Sequence, residues 1–538
     1  MKSAYDVVVI GGGLAGLAAV TAARDLGLTA LLLEKTERFG GVTAYSAGQL
    51  WVPGSSLERD RGIEDSADAG ARYLERLGMG FAEAEHVRAY VDRADATLTY
   101  FQKLANMQLR IVDGLPDYYY GEFPDARPEG RLIEVDPYAG SRLGDWRERL
   151  RVSPHVQYRL THEDMWALGG IARSHTWDRT LIDAREAEDA LCMGTGLAAT
   201  LLEAAIASGA DLVGSAVVDE LLADEGRASG VLLADGRRVD AHRGVLIATG
   251  AYDWDPRAMR GFEGIPGPES AAPPAVAGDH FRLAQPLGAR IVSEPKPMRL
   301  GYRVIGRTDD GREMTGIFRA VSYPFSIIVN EQGVRFCDES FYPAIGHALK
   351  HIDGRRQAYE NWPCWWIFDS RFRREYSFSG VTPAMDLPAE WGVVSAPTIE
   401  ALAVEMGVDA AAFADQVARY NADCERGVDT QFGRGGRLYS QVSYGDHGAG
   451  AHPNLGPVAE GPFYAMRPRL VGTGIPTTGL DTDTTGRVLD HAGQAIPGLY
   501  AAGNSSAMLE VGGGYQSGIA NMRSLIIAKS SMEAAAAG

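Results

Sequence analysis

A glycine-rich turn near the N-terminus restricts this chain of 538 residues to a narrow set of folds. Residues 6–10 read DVVVI, a β-branched run typical of a buried parallel strand. Residues 11–16 read GGGLAG, which fits GxGxxG, and an Ala- and Leu-rich stretch follows over 17–26. A second apolar run over 29–33 ends in Glu34, where an acid can bond a ribose hydroxyl. This order of strand, turn, helix, strand and acid predicts a dinucleotide-binding α/β domain.

The glycines of this turn have separate physical roles. Gly11 allows the sharp bend, Gly13 lets the backbone approach a pyrophosphate, and Gly16 lets the helix pack closely on the sheet. The exposed N–H groups and the helix N-terminus attract phosphate. The residues of this region predicted to bind the cofactor are Gly11, Gly13, Ala15, Gly16, Glu34 and Lys35.

Charge and cysteine content exclude several other classes of protein. The chain has 52 Lys and Arg residues against 70 Asp and Glu, a net charge of −18, which disfavours nucleic acid and anionic lipid as partners. Its four cysteines form no CxxC pair and fit neither a zinc site nor a disulfide framework. No apolar run reaches the roughly 18 residues of a transmembrane helix, and the N-terminus lacks a signal-peptide layout. We therefore expect a cytoplasmic protein without a metal site.

A run of small residues follows the acid and indicates which dinucleotide is bound. Residues 38–48 read RFGGVTAYSAG, and such a run lets the backbone pass close to a planar ligand. It resembles the GG-x-(S/T)-x-x-S-x-G segment of the fumarate reductase and ketosteroid dehydrogenase flavoproteins. The resemblance implies non-covalent FAD rather than a nicotinamide cofactor. The residues it implies as FAD contacts are Gly41, Thr43, Ser46, Ala47 and Gly48.

Two later segments complete the predicted FAD domain. Residues 244–250 read GVLIATG and residues 498–504 read GLYAAGN, each a buried strand that runs into small residues. In flavoproteins of this type they close around the adenine and flavin sides. Further FAD contacts implied by resemblance are Val217, Gly250, Gly503, Asn504 and Ile519.

The predicted fold class is α/β, with a discontinuous Rossmann-like FAD-binding domain and an inserted α+β substrate domain. The FAD domain spans 1–289 and 453–538, and the insertion spans 290–452. Within the insertion, 325–329 and 365–368 read as strands, and 399–406 and 410–424 as helices.

Four separated stretches resemble the 3-ketosteroid dehydrogenases, flavoenzymes that desaturate a ring next to a ketone. They read PDYYYG over 116–121, GVRFCDESFY over 333–342, FGRGG over 432–436, and PGLYAAGN over 497–504 continuing to GYQSG over 514–518. The chemistry needs a base for the α proton, donors for the enolate oxygen and a flavin for the β hydride.

The resemblance implies a role for each of several residues. Tyr342 matches the proton-abstracting tyrosine, and Tyr119 matches the tyrosine that activates it, with Tyr118 and Tyr120 as open alternatives. Tyr515 and the Gly518 N–H match the donors to the ketone oxygen, and Ser517 is a further polar candidate there.

Two departures from the family pattern leave the substrate open. The spacing before Tyr342 and the spacing from Tyr515 to Gly518 are each one residue shorter than in the delta-1 enzymes. The Tyr-x-Ser pair at 515–517 looks like the delta-4 enzymes, whereas the region of Tyr119 looks like the delta-1 enzymes. A steroid, a cyclohexanone and 4-oxocyclohexanecarboxylate all remain possible substrates, with oxygen, a quinone or a carrier as external electron acceptor.

Two rival functions are kept. The first is an enoate or fumarate-type reductase. In fumarate reductases a catalytic arginine lies shortly after an acidic pair. Here residues 341–344 read FYPA and the next arginine is Arg355, which argues against this function. The second is a binding protein that has lost redox chemistry. Among the other arginines, Arg335 is interpreted as part of a structural ion pair. Arg523 is interpreted as a helix-surface residue, with a contact to a substrate carboxylate as its alternative.

Overall fold

The structure is a computed structural model that describes residues 1–154, 159–264, 269–296, 299–308, 311–317, 319–448 and 452–538. The α-helices within these ranges are α1 (Leu14–Asp25), α2 (Ser56–Asp60), α3 (Ala67–Leu77), α4 (Ala84–Leu104), α5 (His162–Ala167), α6 (Thr180–Ala187), α7 (Met193–Ala207), α8 (Pro256–Glu263), α9 (Asp279–Ala284), α10 (Tyr342–Leu349), α11 (Ser370–Glu375), α12 (Ile399–Met406), α13 (Ala410–Arg426), α14 (Leu438–Tyr444) and α15 (Ile519–Ala537).

The β-strands are interspersed among these helices along the chain. They are β1 (Ala4–Ile10), β2 (Ala30–Leu33), β3 (Leu50–Trp51), β4 (Leu109–Ile111), β5 (Leu132–Val135), β6 (Tyr138–Ala139), β7 (Ala190–Leu191), β8 (Asp211–Val213), β9 (Val218–Asp224), β10 (Arg227–Leu233), β11 (Arg238–Ile247), β12 (Glu269–Ser270), β13 (Ile291–Ser293), β14 (Arg299–Arg307), β15 (Glu313–Ile317), β16 (Ser326–Val329), β17 (Ile352–Asp353), β18 (Ala358–Tyr359), β19 (Trp365–Phe368), β20 (Val394–Ala396), β21 (Phe463–Met466), β22 (Arg469–Gly472), β23 (Thr478–Leu480), β24 (Arg487–Leu489) and β25 (Ala495–Ala501).

The largest sheet carries the N-terminal glycine turn. Its parallel part has the order β8-β2-β1-β11-β25, and antiparallel β24 pairs with the β25 edge. The register places Val8 of β1 beside Leu31 of β2 and Val245 of β11. Because β25 comes from near the C-terminus, segments that are far apart in the sequence build this sheet.

Alternating side chains of β1 are buried on the two faces of the sheet. Val7 and Val9 belong to a core shared with helices α1, α7 and α15. Val8 and Ile10 belong to a second core on the other face, shared with β9, β10 and β11. A strand covered on both faces has to be apolar throughout, which explains the DVVVI run. Helix α1 is likewise apolar on all sides because it is packed between the sheet, α7 and α15.

Two four-stranded sheets lie outside the largest sheet. Their orders are β12-β22-β14-β15 and β16-β19-β21-β20. Aromatic rings fill the core beside them, and the ring centroids of Trp366 and Phe368 lie 4.3 Å apart. Strands β12, β21 and β22 come from outside the predicted insertion, so the flanking segments also contribute strands to these sheets. The domain boundaries at 289/290 and 452/453 stay a prediction.

The predicted fold class is confirmed: a parallel sheet covered on both faces carries the glycine turn, and mixed α and β structure is inserted between its strands. The interpretation of Arg335 as an ion-pair residue is also confirmed. Its guanidinium donates to Glu339 at 2.6 Å and to Asp429 at 2.9 Å, with all three side chains buried. Among the described residues, every helix is either too short or too polar to span a lipid bilayer.

The interpretation of Arg523 as a surface residue is wrong. Arg523 is 1% exposed and forms an ion pair with Glu510 at 2.5 Å. Its guanidinium also donates to the carbonyl oxygens of Gly503 at 2.6 Å and of Ala507 at 2.7 Å. The part of α15 that carries Arg523 is buried in the core, so Arg523 does not meet solvent and instead holds the loop that follows β25.

Candidate active site

A cavity of about 630 Å³ opens where the carboxyl ends of β1, β2 and β11 meet the glycine turn. Ligands of such sheets bind in the crevice at the carboxyl ends of parallel strands, so this cavity is the candidate active site. The predicted cofactor residues that line it are Gly11, Gly13, Ala15, Glu34, Lys35, Gly41, Thr43, Ser46, Ala47, Gly48, Val217, Gly250, Gly503 and Asn504. Gly16 in α1 and Ile519 at the start of α15 lie behind this lining.

The glycine turn has the shape that a pyrophosphate requires. A Cβ added at Gly13 would meet nothing closer than the Cα of Gly41, 3.8 Å away. A Cβ added at Gly16 would lie 1.9 Å from the carbonyl oxygen of Gly11. Gly16 is therefore needed for packing of the helix on the turn, whereas Gly13 leaves space on the cavity side for a bound group. These residues fit the phosphates of FAD.

Glu34 is oriented by the turn itself. Its carboxylate accepts hydrogen bonds from the backbone N–H groups of Gly12 at 2.8 Å and of Thr36 at 2.9 Å. These bonds hold the side chain at the edge of the cavity, where it can accept a hydrogen bond from a ribose hydroxyl. The neighbouring Lys35 ammonium is directed at Asp279, with an Nζ to Oδ2 distance of 2.5 Å.

The small-residue segment is tied to the start of α15. The Thr43 hydroxyl donates to Asn521 Oδ1 at 3.2 Å, and Asn521 Nδ2 donates to the Gln49 carbonyl oxygen at 2.9 Å. The N-terminus of α15 therefore lies against the segment that the resemblance places along the flavin. Its partial positive charge favours negative charge at this point of the cavity.

Polar groups without protein partners remain at the same end of the cavity. Asn504 Oδ1 is buried and accepts no hydrogen bond from any described residue. The backbone N–H of Gly518 and the hydroxyl of Ser517 likewise make no hydrogen bond within the described ranges, and both residues line the cavity. Because buried polar groups in folded proteins are normally paired, these atoms fit a site that a cofactor and a substrate complete.

Four tyrosines from distant parts of the chain meet beside the cavity. The ring centroid of Tyr118 lies 5.7 Å from that of Tyr342, 6.4 Å from that of Tyr515 and 4.2 Å from that of Tyr439. Tyr515 and Tyr439 line the main cavity, and Tyr342 begins α10 behind Tyr515. The structure thus brings together Tyr342 and Tyr515, with Tyr118 between them.

Tyr119 points away from this cluster. Its ring stacks on Phe123 with a centroid distance of 4.5 Å and meets the edge of Phe341 at 5.2 Å. Burial raises the pKa of Tyr119 to about 12. None of Tyr118, Tyr119 and Tyr120 is among the described residues that line the cavity, so their ring contacts distinguish them.

The inward direction of Tyr118 is set by residues far away in the sequence. Its backbone N–H donates to Gln516 Oε1 at 2.9 Å, and the same oxygen accepts the Tyr73 hydroxyl at 2.7 Å. The preceding Asp117 is buried and accepts from Arg131 at 2.8 Å and from Trp51 Nε1 at 2.7 Å. These bonds hold the backbone of the three-tyrosine run so that its first ring faces Tyr342.

Arg299 is a site residue that the sequence analysis missed. Its guanidinium carbon lies 3.6 Å from the ring centroid of Tyr342 and 5.9 Å from that of Tyr515. Burial raises the pKa of Tyr342 well above the ordinary value, and the charge of Arg299 opposes that rise. No carboxylate of the described residues lies within ion-pair distance of Arg299.

A second cation, Arg319, lies across the main cavity and was also missed. Its guanidinium carbon is 5.6 Å from the ring centroid of Tyr444, which in turn lies 5.7 Å from Tyr439. Burial by itself would raise the pKa of Tyr444, but the charges of Arg299 and Arg319 lower it below the usual range. Within the described part of the chain, Arg319 also has no carboxylate partner.

The chain is similar to known proteins over nearly its whole length. Residues 6–519 match the family described as FAD binding domain. The chain is 32% identical to 4-oxocyclohexanecarboxylate 2-dehydrogenase of Sinomonas cyclohexanicum over 515 residues, 94% of this chain and 88% of the relative. It is 30% identical to 3-oxosteroid 1-dehydrogenase of Mycolicibacterium smegmatis over 545 residues, 94% and 92% of the two chains.

A solved structure has a closely similar fold. It is that of 3-ketosteroid delta1-dehydrogenase from Sterolibacterium denitrificans in complex with 1,4-androstadiene-3,17-dione. The TM-score is 0.86 at 28% sequence identity, and the match covers 100% of both chains. The predicted resemblance and the predicted FAD cofactor are thereby confirmed.

Proposed function

Because this chain belongs to the family defined by the FAD binding domain, we propose that it desaturates the bond between the α and β carbons of a ring ketone. It is an FAD-dependent oxidoreductase that acts on CH–CH groups. The observation that carries the proposal is the meeting of the Tyr118, Tyr342 and Tyr515 rings, of which Tyr515 lines the FAD cavity. FAD, when bound, supplies the acceptor for the β hydride.

Tyr342 is the proposed base. Its phenolate oxygen takes the α proton, and the electron pair of the broken C–H bond passes toward the ketone as the enolate forms. Burial favours the neutral phenol, so the phenolate has to be stabilised by a nearby charge. Arg299 over the ring supplies that charge. Tyr118, rather than Tyr119, is the tyrosine proposed to assist the base, because its ring contacts Tyr342.

Tyr515 and Gly518 are the proposed donors to the ketone oxygen. Burial holds the pKa of Tyr515 above its usual range, so its hydroxyl stays protonated at neutral pH and can donate. The N–H of Gly518 makes no hydrogen bond with the described residues and lies at the N-terminus of α15. A donor pair beside a helix N-terminus stabilises the negative charge of the enolate oxygen.

The proposed substrate class is a ring ketone that carries a carboxylate. Arg319 and Arg299 line the main cavity without a carboxylate partner among the described residues. A buried or half-buried guanidinium is normally paired with an anion. One relative is named for a substrate of this kind, 4-oxocyclohexanecarboxylate. A steroid has no acidic group that would engage both arginines.

The test is anaerobic bleaching of the bound flavin, followed at its visible absorbance maximum. The panel is 4-oxocyclohexanecarboxylate, cyclohexanone and a saturated 3-ketosteroid, with Y342F as the matched variant. We expect the keto acid to bleach the wild-type flavin rapidly and Y342F to bleach much more slowly. A yellow protein that none of these ketones bleaches, but that reduces enones or fumarate from an artificial donor, would contradict the proposal in favour of a reductase.

Turnover also requires an external electron acceptor. Reoxidation of the bleached enzyme by oxygen, by a soluble quinone and by a one-electron dye, compared side by side, identifies the class of that acceptor. A colourless protein that does not take up FAD would favour a binding protein without redox chemistry.

A further inference from the structure

Lys296 is a buried lysine that takes no part in the proposed desaturation as described above. The residue is 2% exposed, and its Nζ makes no hydrogen bond with any described residue. Its carbonyl oxygen accepts the Nζ of Lys350 at 2.9 Å, which anchors the backbone rather than the side chain. A buried ammonium without a partner is unfavourable, so such a lysine tends to lose its proton. Burial accordingly lowers the pKa of Lys296 to about 8.

A small cavity of about 30 Å³ lies beside this lysine and behind the tyrosine cluster. The ionisable residues among its lining are Lys296, Arg299, Asp253, Glu263, Tyr252, Tyr342 and Tyr515. Roughly 10–15 Å³ of space is enough for one water molecule, provided that several polar groups surround it. The hydroxyl of Tyr342 is buried and, like Lys296 Nζ, makes no hydrogen bond within the described residues. A water molecule in this cavity would give both atoms a partner.

The other side of Tyr342 is mainly aromatic. There its ring meets the rings of Tyr118 and Phe341. The hydroxyl of Tyr118 is itself buried without a hydrogen-bond partner in the described ranges. The small cavity is therefore the side on which Tyr342 shares space with charged groups, among them Lys296 and Arg299.

We propose that Lys296, through water in the small cavity, carries the proton between the Tyr342 hydroxyl and the outside of the protein. This inference rests on the proposed role of Tyr342 as base. After the α proton has formed the phenol O–H bond, that bond breaks again. The proton passes through water to the neutral amine, which becomes an ammonium, and Tyr342 returns to the phenolate for the next turnover.

The charged groups around Lys296 provide an outward path. Three acids raise the pKa of Lys296, namely Glu510, Glu294 and Glu263, and the cation Arg523 lowers it. Glu510 is held by Arg523, and Glu263 accepts from the Tyr252 hydroxyl at 2.8 Å, so both are engaged. Glu294 has a buried oxygen without a partner among the described residues, and it is within electrostatic range of Glu83, whose side chain is 51% exposed. The ammonium can therefore release its proton toward Glu294 and Glu83.

The experiment measures kcat against pH with saturating ketone and acceptor in wild type, K296M and K296A. The amine accepts a proton only when neutral, so wild-type kcat should rise as pH increases through about 8. K296M should lose this rise and fall by about 10-fold or more. Ethylamine, which can enter the space left in K296A, should restore turnover there, whereas K296M, whose side chain fills the space, should not respond.

The matched control is K103M, which removes an exposed lysine in the last turn of α4, away from the small cavity. It should keep the pH dependence of the wild type. The proposal is overturned if K296M keeps wild-type kcat and pH dependence, or if ethylamine fails to restore K296A although FAD remains bound. If both substitutions at 296 prevent folding, a wild-type kcat that is flat from pH 7 to pH 9 overturns it. If Y342F is inactive but K296M has the kcat and pH dependence of the wild type, only the relay is refuted. If Y342F is active, the proposed function itself is refuted.

Discussion

The guanidinium carbon of Arg299 lies 3.6 Å from the centre of the Tyr342 ring. Arg299 begins β14 and Tyr342 begins α10, so the pair joins the β12-β22-β14-β15 sheet to the helix that carries the proposed base. Burial works against ionisation of this phenol, and the arginine works in favour of it. The balance between these two effects decides whether a tyrosine can act as a base here.

Removal of the arginine charge should therefore weaken the base. In R299M the pKa of Tyr342 should rise, because the one opposing effect is lost while burial stays. The rate of flavin reduction by the ketone should fall by about 100-fold at pH 7, and its alkaline rise should move to higher pH. Stopped-flow bleaching between pH 6 and pH 10 measures both. R467M is the matched control, since Arg467 lies 4.0 Å over the Trp365 ring away from the cavity; an equal loss in that variant would contradict the prediction.

The two adjacent tyrosines should differ in their effect on rate. Tyr118 contacts Tyr342, Tyr439 and Tyr515, whereas Tyr119 stacks on Phe123 outside the site. Y118F should lower the rate of flavin reduction by about 10-fold or more, and Y119F should leave it within about 2-fold. Single-turnover bleaching of the two variants in parallel decides between them. A larger loss in Y119F would restore the assignment that the family resemblance implies.

A methyl group at Gly13 should separate cofactor binding from folding. The added Cβ has space in the protein itself, with the Cα of Gly41 3.8 Å away, but it points to where the pyrophosphate is expected. G13A should keep the thermal stability of the FAD-free protein and bind FAD at least about 10-fold more weakly, because a pyrophosphate turn needs close backbone approach. Flavin fluorescence on titration with FAD measures the affinity. G261A, which adds a methyl group facing open space in α8, should bind FAD like the wild type.

Arg319 should discriminate acidic from neutral ketones. Its guanidinium lines the main cavity and has no carboxylate partner among the described residues. R319Q should raise KM for 4-oxocyclohexanecarboxylate by about 10-fold or more, since a charge-assisted hydrogen bond is lost. KM for cyclohexanone should change by less than about 2-fold. Steady-state kinetics on both ketones test this, and an equal change for the two would refute a carboxylate subsite at Arg319.

Much of the cofactor site was predictable from the sequence because its signals are local. The strand over residues 6–10, the turn over 11–16 and the acid at 34 all lie within the first 34 residues, in a fixed order. Their spacing follows from backbone geometry alone: a buried strand has to be apolar, a tight turn needs glycine, and the next strand delivers the acid to the turn. The same holds for the strands that precede Gly250 and Gly503.

The proposed catalytic end of the site depended on tertiary structure. Which of three consecutive tyrosines faces Tyr342 is decided by Gln516, which holds the backbone of Tyr118 from almost 400 positions along the chain. Arg299, Arg319, Lys296 and Tyr444 stand in no recognisable motif, and only the folded chain brings them together around the cavities. Local patterns determine the backbone of each element. The neighbours of a side chain and the solvent exclusion that shifts its pKa arise only when distant elements pack together.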